Sequence, residues 1–172
     1  MLTTKNLILI PCNAEISQAA ITGNERLAEV LRVEVPDHWT EFGSMAFQYA
    51  LDMLQVDTIT HSWCTYFPIH IEDNTLVGSG GYKGQLTADG IVEIGYEIAP
   101  KYRNPGLASE YAQVLIDHEF SNQEVKMMIA HTLSHENPST SVLTKCGFTR
   151  TEEIFDPEDG LIWGWEFKKS ND

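Results

Sequence analysis

Residues 91–133 read IVEIGYEIAPKYRNPGLASEYAQVLIDHEFSNQEVKMMIAHTL, and the fold turns on how this stretch is read. IVEIGYEIAP follows the turn LTADG and reads as a strand of about eight residues. The chain then turns through APKYRNPG and enters a helical pattern near Leu107, LASEYAQVLIDHEFS. VKMMIAHTL is a strongly apolar strand that belongs near the centre of a sheet. The unit is therefore strand, helix, strand, and the point of interest is the junction RNPGLA. The first N–H groups of a helix have no internal partner, and the positive end of its dipole points the same way. Together they make an anion site. Gly106 lets a phosphate approach the backbone with no Cβ in the way, Ala108 keeps the next position small, and Arg103 adds a fixed positive charge. Pro105-Gly106 is equally consistent with a tight turn and nothing more. The junction has neither the GxxxxGK[ST] of a nucleoside-triphosphate loop nor the GxGxxG of a dinucleotide fold.

Working outward, NLILIPC (6–12) reads as an opening strand. Residues 14–32 have helical spacing at Ile16, Ala20, Leu27, Val30 and Leu31, broken at Gly23-Asn24. VPDHWTEFG is a loop in which Asp37 or Thr40 could cap the helix FGSMAFQYALDMLQ. Strands follow at SWCTYFPIHI and at the glycine-interrupted LVGSGGYKG, with EDNT as the turn between them. Beyond the central unit, SHENPSTSVLTKCG feeds a short helix ending at Gly147. FTRTEEIFD and LIWGWEFKK then close a hairpin through PEDG. With no linker or repeat, the order of elements predicts a mixed α/β (α+β) fold in one domain, 1–172.

Composition narrows the function. The 172 residues include 25 acidic and 11 basic side chains, a formal charge of −14. Phosphate neutralisation needs clustered Lys and Arg, so nucleic acid is not expected as a partner. The charge suits a cationic substrate and equally suits simple solubility. Cys12, Cys64 and Cys146 form no CxxC pair, which fits reduced thiols and a cytoplasmic location. The longest early apolar run, LILI, is far short of a signal sequence or a membrane span. No metal is expected. His131 and His135 are four apart but straddle a strand end, where that spacing does not put them on one helical face.

RNPGLA, Arg-x-x-Gly-x-Ala, resembles the pyrophosphate-binding motif of the GNAT N-acetyltransferase superfamily, and EIGYEIAPKY resembles the strand leading into it. IAHTLSHENPSTSVLTKCGF is similar to the second cofactor segment of the branch that acetylates ribosomal-protein N-termini. LTTKNLILIP resembles that branch's first strand and LIWGWEF its last. The four motifs span nearly the whole chain in the family's order. The resemblance implies a single GNAT-like domain: a twisted, mostly antiparallel sheet, with one parallel strand pair splayed into a V and flanking helices. It implies acetyl-CoA as co-substrate, lying in the V. The pantetheine arm would pair with backbone near Ile98 and Ala99. The pyrophosphate would rest on the turn at Asn104, Gly106, Leu107 and Ala108, beside Arg103. Asn137 would touch the cofactor too, although Asn before Pro138 is also a favoured helix N-cap. The sequence departs from many members in having Asn104-Pro105 in the phosphate turn. It also has Thr144 where many carry a tyrosine acid.

Acetyl transfer from a thioester to an amine needs a proton acceptor, a donor to the carbonyl oxygen and a proton for the leaving sulfur. Glu97 and Glu93 share one strand face if the strand is regular, and a bulge near Ile98 would change that. Glu97, nearer the strand end, is the favoured base; each could instead be an ordinary exposed glutamate. Ser139 lies where an acid could reach the sulfur, and also where a helix-start serine is common. Glu110 suits the helix dipole and needs no catalytic role. Trp39, Trp63, Tyr66 and Phe67 could line an acceptor pocket or fill the core. The expected function is acetyl transfer to a primary amine, a protein N-terminus or a small molecule, by direct transfer. The rival reading is a non-catalytic acyl-CoA-binding or interaction module that keeps the cleft. Expected partners are acetyl-CoA and an amine acceptor, cationic if the charge reaches the pocket. A homodimer is left open, and no membrane is expected.

Overall fold

The computed structural model describes residues 1–54, 65–103 and 105–169, without the side chains of Ser44 and Met53. Trp63, Cys64 and Asn104 lie outside the described residues. In chain order the elements are β1 (Leu2–Thr3), β2 (Leu7–Pro11), α1 (Ala14–Thr22), α2 (Asn24–Leu31) and α3 (Gly43–Leu54). Then come β3 (Thr65–His70), β4 (Thr75–Leu76), β5 (Gly78–Lys83), β6 (Ile91–Ile98) and, after a 3₁₀ turn, α4 (Leu107–Phe120). β7 (Met127–Leu133), α5 (Pro138–Lys145), β8 (Thr149–Asp156) and β9 (Gly160–Lys168) complete the chain. The mixed α/β expectation holds. The two-residue strands β1 and β4 were not expected, because two residues are too short to show a period. Gly23 breaks the early helical stretch as anticipated: it closes α1 and opens α2 at φ 140°. Thr40 caps nothing in α3, which begins at Gly43; its hydroxyl instead reaches Glu97 on β6.

The strands form one sheet in the order β1-β2-β3-β5-β6-β7-β9-β8, with β4 beside β3. β6 and β7 are parallel, and the other strand pairs are antiparallel. The parallel pairing starts at Ile91–Met127 and stops at Glu93–Ile129, although β6 runs on to Ile98 and β7 to Leu133. Each strand is held past that point by its outer neighbour. β6 stays paired to β5 as far as Gly78–Ile98, and β7 to β9 as far as Leu133–Ile162. Residues 94–98 and 130–133 therefore part into the arms of a V. The β5–β6 register runs unbroken from Lys83–Glu93 to Gly78–Ile98, with no bulge. Strand alternation then puts Glu93, Gly95 and Glu97 on one face of the sheet.

Alternation also divides the core between the two faces. Leu7 and Leu9 of β2 pack with Tyr111, Leu115 and Ile116 of α4, whereas Ile8 and Ile10 pack among the residues of α1–α3. β3 does the same: Tyr66 joins the α4 side, and Phe67 and Ile69 join the other. There, Phe47 stacks on Trp39 and on Phe67, and Trp39 meets Phe67 at a tilt, with 5.3–5.8 Å between ring centroids. Trp39, Tyr66 and Phe67 are thus core residues, at most 4 % exposed. Glu110 ties the start of α4 to the turn after β1. Its carboxylate accepts from Thr4 Oγ1, from Asn6 N–H at 2.7 Å and from Asn6 Nδ2 at 2.8 Å. Burial alone would raise its pKa, but these donors outweigh it and hold the carboxyl below the usual range.

Candidate active site

The V opens a cleft of about 1780 Å³ that residues from both faces of the sheet line. A single small ligand needs roughly 300–1,000 Å³, so this space can hold two substrates at once. Inside the V the facing edges of β6 and β7 share no backbone bonds, which leaves peptide groups for a ligand that itself carries amides.

One wall is backbone and small side chains. Gly106 opens α4 at φ 89°, a conformation that favours glycine, and no side chain caps the helix. The first intrahelical bond runs from Glu110 N–H to Gly106 O, so the amides ahead of it have no acceptor within the helix. Gly106, Ala108 and Ser109 line the cleft, and a Cβ built on Gly106 would meet open space. Arg103 lines it too, with its guanidinium already engaged: Nε donates to Ile98 O at 2.8 Å and Nη2 pairs with Glu41 at 3.0 Å. Ile98 is on the wall, with its carbonyl taken by that arginine. Ala99 and Leu107 are not on it. Ala99 N–H bonds Val77 O at 2.8 Å, and the Leu107 side chain is in the core. Asn137 lines the cleft while capping α5, its oxygen accepting from Thr140 N–H at 3.1 Å in a reciprocal capping box. Ser139 lies on the same wall, exposed, in the first turn of α5. Thr144 is off the wall; its hydroxyl donates to Thr140 O.

The other wall is made of charged and aromatic side chains. Glu97 accepts from Ser79 Oγ at 2.8 Å, from Glu41 N–H at 2.8 Å and from Thr40 Oγ1. A carboxylate has roughly four acceptor sites, so about one remains for a ligand. Phe42, just ahead of α3, and Tyr49, midway along it, are 57 % and 60 % exposed and line the same cleft. Glu93 does not reach the cleft itself. Its Oε1 is held by Lys83 Nζ at 3.1 Å and by His131 Nδ1 at 3.0 Å, and both of those residues line the cleft. Strand reasoning put Glu93 and Glu97 on one face correctly but missed that His131 stands between Glu93 and the cleft. Tyr96 was missed as well. It lines the cleft, and its hydroxyl is buried with no hydrogen-bond partner among the described residues. Burial, then the nearby Cys146, pushes its pKa far up, so it stays a donor. Its position midway along the unpaired arm of β6 was the available signal.

Among the described residues no group of three or more His, Cys, Asp and Glu is placed to hold a metal ion, and no helix is long and apolar enough to cross a membrane. Comparison with known proteins agrees with the geometry. The Acetyltransferase (GNAT) domain family matches residues 12–149. The chain is 25 % identical over 150 residues to the protein named uncharacterized N-acetyltransferase YjdG of Bacillus subtilis, covering 86 % of this chain and 89 % of that one. In fold it is similar to ribosomal-protein-S5-alanine acetyltransferase from Vibrio fischeri, with a TM-score of 0.71 at 14 % identity over 98 % of this chain and 96 % of that one. It is also similar to RimL, a ribosomal L7/L12 alpha-N-protein acetyltransferase solved with coenzyme A, with a TM-score of 0.68 at 13 % identity over 96 % and 95 %. The splayed parallel pair, the uncapped glycine-led helix at its mouth and the family match converge: the chain belongs to the GNAT acetyltransferase family, as an N-acetyltransferase with acetyl-CoA as its co-substrate.

Proposed function

We propose that residues 1–172 act as one N-acetyltransferase domain that passes the acetyl group directly to a primary amine, with both substrates in the V together. The observation that carries this reading is the unpaired stretch 94–98 and 130–133, ending at the bare first turn of α4. Acetyl-CoA enters along that gap. Its pyrophosphate rests on the amides around Gly106 and Ala108, with Leu107 contributing backbone between them. Arg103 serves there as a clamp on the Ile98 carbonyl more than as a free charge. Pantetheine pairs with the inner edge of β6 up to the Ile98 N–H, Ala99 having both its backbone groups bonded within the protein, and Asn137 borders it from α5.

The acceptor enters from the opposite face, past α3. Glu97 has about one acceptor site left, enough for one N–H of the amine. Elsewhere the cleft balances Glu41 and Asp159 against Lys83, Arg103 and Lys145, so it is the Glu97 carboxylate itself that favours a cationic acceptor such as a polyamine or a basic N-terminus. The exposed rings of Phe42 and Tyr49 suit an acceptor with an apolar portion. The Ser139 hydroxyl, exposed on the wall, can donate to the leaving sulfur, whereas that of Tyr96 is buried.

Thiol release from acetyl-CoA over a panel of polyamines, aminoglycosides and peptides with free N-termini tests the reading. Release that depends on amine, matched by an equal amount of acetylated product, supports it. Tight acetyl-CoA binding with no release on any amine would favour a non-catalytic acyl-CoA-binding module.

A further inference from the structure

We propose that His131, oriented by Glu93, takes the proton from the acceptor amine. This rests on the acetyl-transfer reading above and names a group in the site that the strand pattern alone did not single out. His131 stands on the unpaired arm of β7, two residues past the last parallel pair, and lines the cleft. Its Nδ1 is 3.0 Å from Glu93 Oε1, and its Nε2 makes no hydrogen bond among the described residues. A carboxylate on one ring nitrogen fixes the tautomer, so that Nδ1 carries the hydrogen and Nε2 keeps its lone pair. This is the general arrangement of a base held by an orienting third group. Glu93 does not line the cleft, so it acts through His131 and is a positioning residue. Glu97, by contrast, already accepts three hydrogen bonds, and its remaining capacity suits holding the amine.

In the step, the amine nitrogen bonds to the acetyl carbon as the carbon–sulfur bond breaks, with that electron pair going to sulfur. The ammonium-like nitrogen gives its proton to His131 Nε2, directly or through one water, and the imidazolium later releases it to solvent. The thiolate is protonated from solvent, with the Ser139 hydroxyl able to relay the proton, and the proton that the imidazolium releases restores the balance.

The charged groups around the ring come from each neighbouring strand. Glu93 lies on β6, Lys83 reaches over from β5, and Asp156 of β8 senses the histidine's charge. Across β9, Glu152 lies over Gly164, the residue paired with His131. Imidazole changes charge in the neutral range, where free carboxylates do not.

The test is the pH dependence of kcat/KM for one acetylated amine, measured on wild type, His131→Gln, Glu93→Gln and Glu97→Gln, with acetyl-CoA affinity by calorimetry. Wild type should lose activity through an acid limb as the base takes up a proton. His131→Gln should lower kcat/KM by roughly 10²-fold and abolish that limb, with acetyl-CoA affinity unchanged. Glu93→Gln leaves the imidazole in place but removes the carboxylate that fixes its tautomer, and should lower kcat/KM by roughly 10–100-fold through kcat rather than the acceptor KM, with acetyl-CoA affinity unchanged. Glu97→Gln should leave the limb where it is. A fully active His131→Gln with an unchanged profile overturns the proposal, as does a limb that disappears in Glu97→Gln instead. Should His131→Gln not fold, an unchanged kcat in Glu93→Gln is by itself enough to reject it. Absence of acetyl transfer to every amine in wild type would instead reject the acetyl-transfer reading, and this proposal with it.

Discussion

The two walls of the cleft are built on different principles. The wall proposed for the cofactor is a backbone surface: Gly106, Ala108 and Ser109 offer amides and little bulk where α4 starts uncapped. The acceptor wall is a side-chain surface. Glu97 gathers Thr40 and Ser79, and His131 gathers Glu93, across separations of 57, 18 and 38 residues. A backbone site recognises a feature common to many ligands, the pyrophosphate. A side-chain site is specific to this chain, and its pieces can be changed one at a time. Substitutions on the first wall should therefore change cofactor affinity alone, and those on the second should change acceptor kinetics alone.

The largest effect should come from a charge on the backbone wall. Ser109→Asp sits in the first turn of α4, where an acidic residue favours the helix dipole, so the fold should hold. The same charge would face a pyrophosphate bound as proposed, and at contact range like-charge repulsion is worth about 1–4 kcal/mol. Coenzyme A affinity by calorimetry should drop about 10–10³-fold with no fall in Tm. Gly106 is a poorer choice for this test, because at φ 89° any side chain strains the backbone whatever space it meets.

The mirror-image test is Glu97→Gln. An oxygen remains for Thr40 and Ser79, but the carboxylate charge is lost. The acceptor KM should rise about 10-fold, the scale of one charged hydrogen bond, and coenzyme A affinity should stay put. Cationic amines should lose more than neutral ones. An equal loss for both would mean that the pocket's charge plays no part in choosing the acceptor.

The smallest effects lie at the two ends of α4, which supports the first wall. Near its start Glu110 accepts three hydrogen bonds that keep its pKa down; near its end Glu119 is 2 % exposed, and its Oε1 has no partner among the described residues. Burial pushes Glu119 up to about 7. The two have opposite signs in pH. Glu110, depressed in the folded state, stabilises above the unfolded carboxyl range, and that contribution is lost as pH falls through its folded value. Glu119, raised, costs stability as pH climbs from the unfolded carboxyl range toward about 7. Thermal scans should show Glu110→Gln lowering Tm by about 3–6 °C at pH 7, with the deficit shrinking below pH ~4. Glu119→Leu should raise Tm at pH 8 and do so less at pH 5.

The same division explains what the sequence disclosed. The turn RNPGLA, the strand through Ile98 and the helix after it are local features, set by residues next to one another, and they were legible. So was the shared face of Glu93 and Glu97, which follows from strand alternation. Partnerships were not legible. Nothing near Glu97 announces Thr40, and Thr40 reads locally as a helix cap. Nothing near Glu93 announces His131, because β6 and β7 must first be known to be parallel and in register at Glu93–Ile129. Arg103 reads as a phosphate ligand beside the motif, yet its guanidinium turns back to Ile98 O and Glu41. The aromatics Trp39, Tyr66 and Phe67 offered two readings, and packing against both sheet faces selected the core.

The central claim is that one gap, open to both faces of the sheet, holds acetyl-CoA and the amine together. Initial velocities measured with both substrates varied test it most directly. Direct transfer in a ternary complex predicts double-reciprocal lines that intersect. Parallel lines, together with an acetylated enzyme isolated in the absence of amine, would contradict it: the substrates would then visit the gap in turn, and a side chain would carry the acetyl group between them.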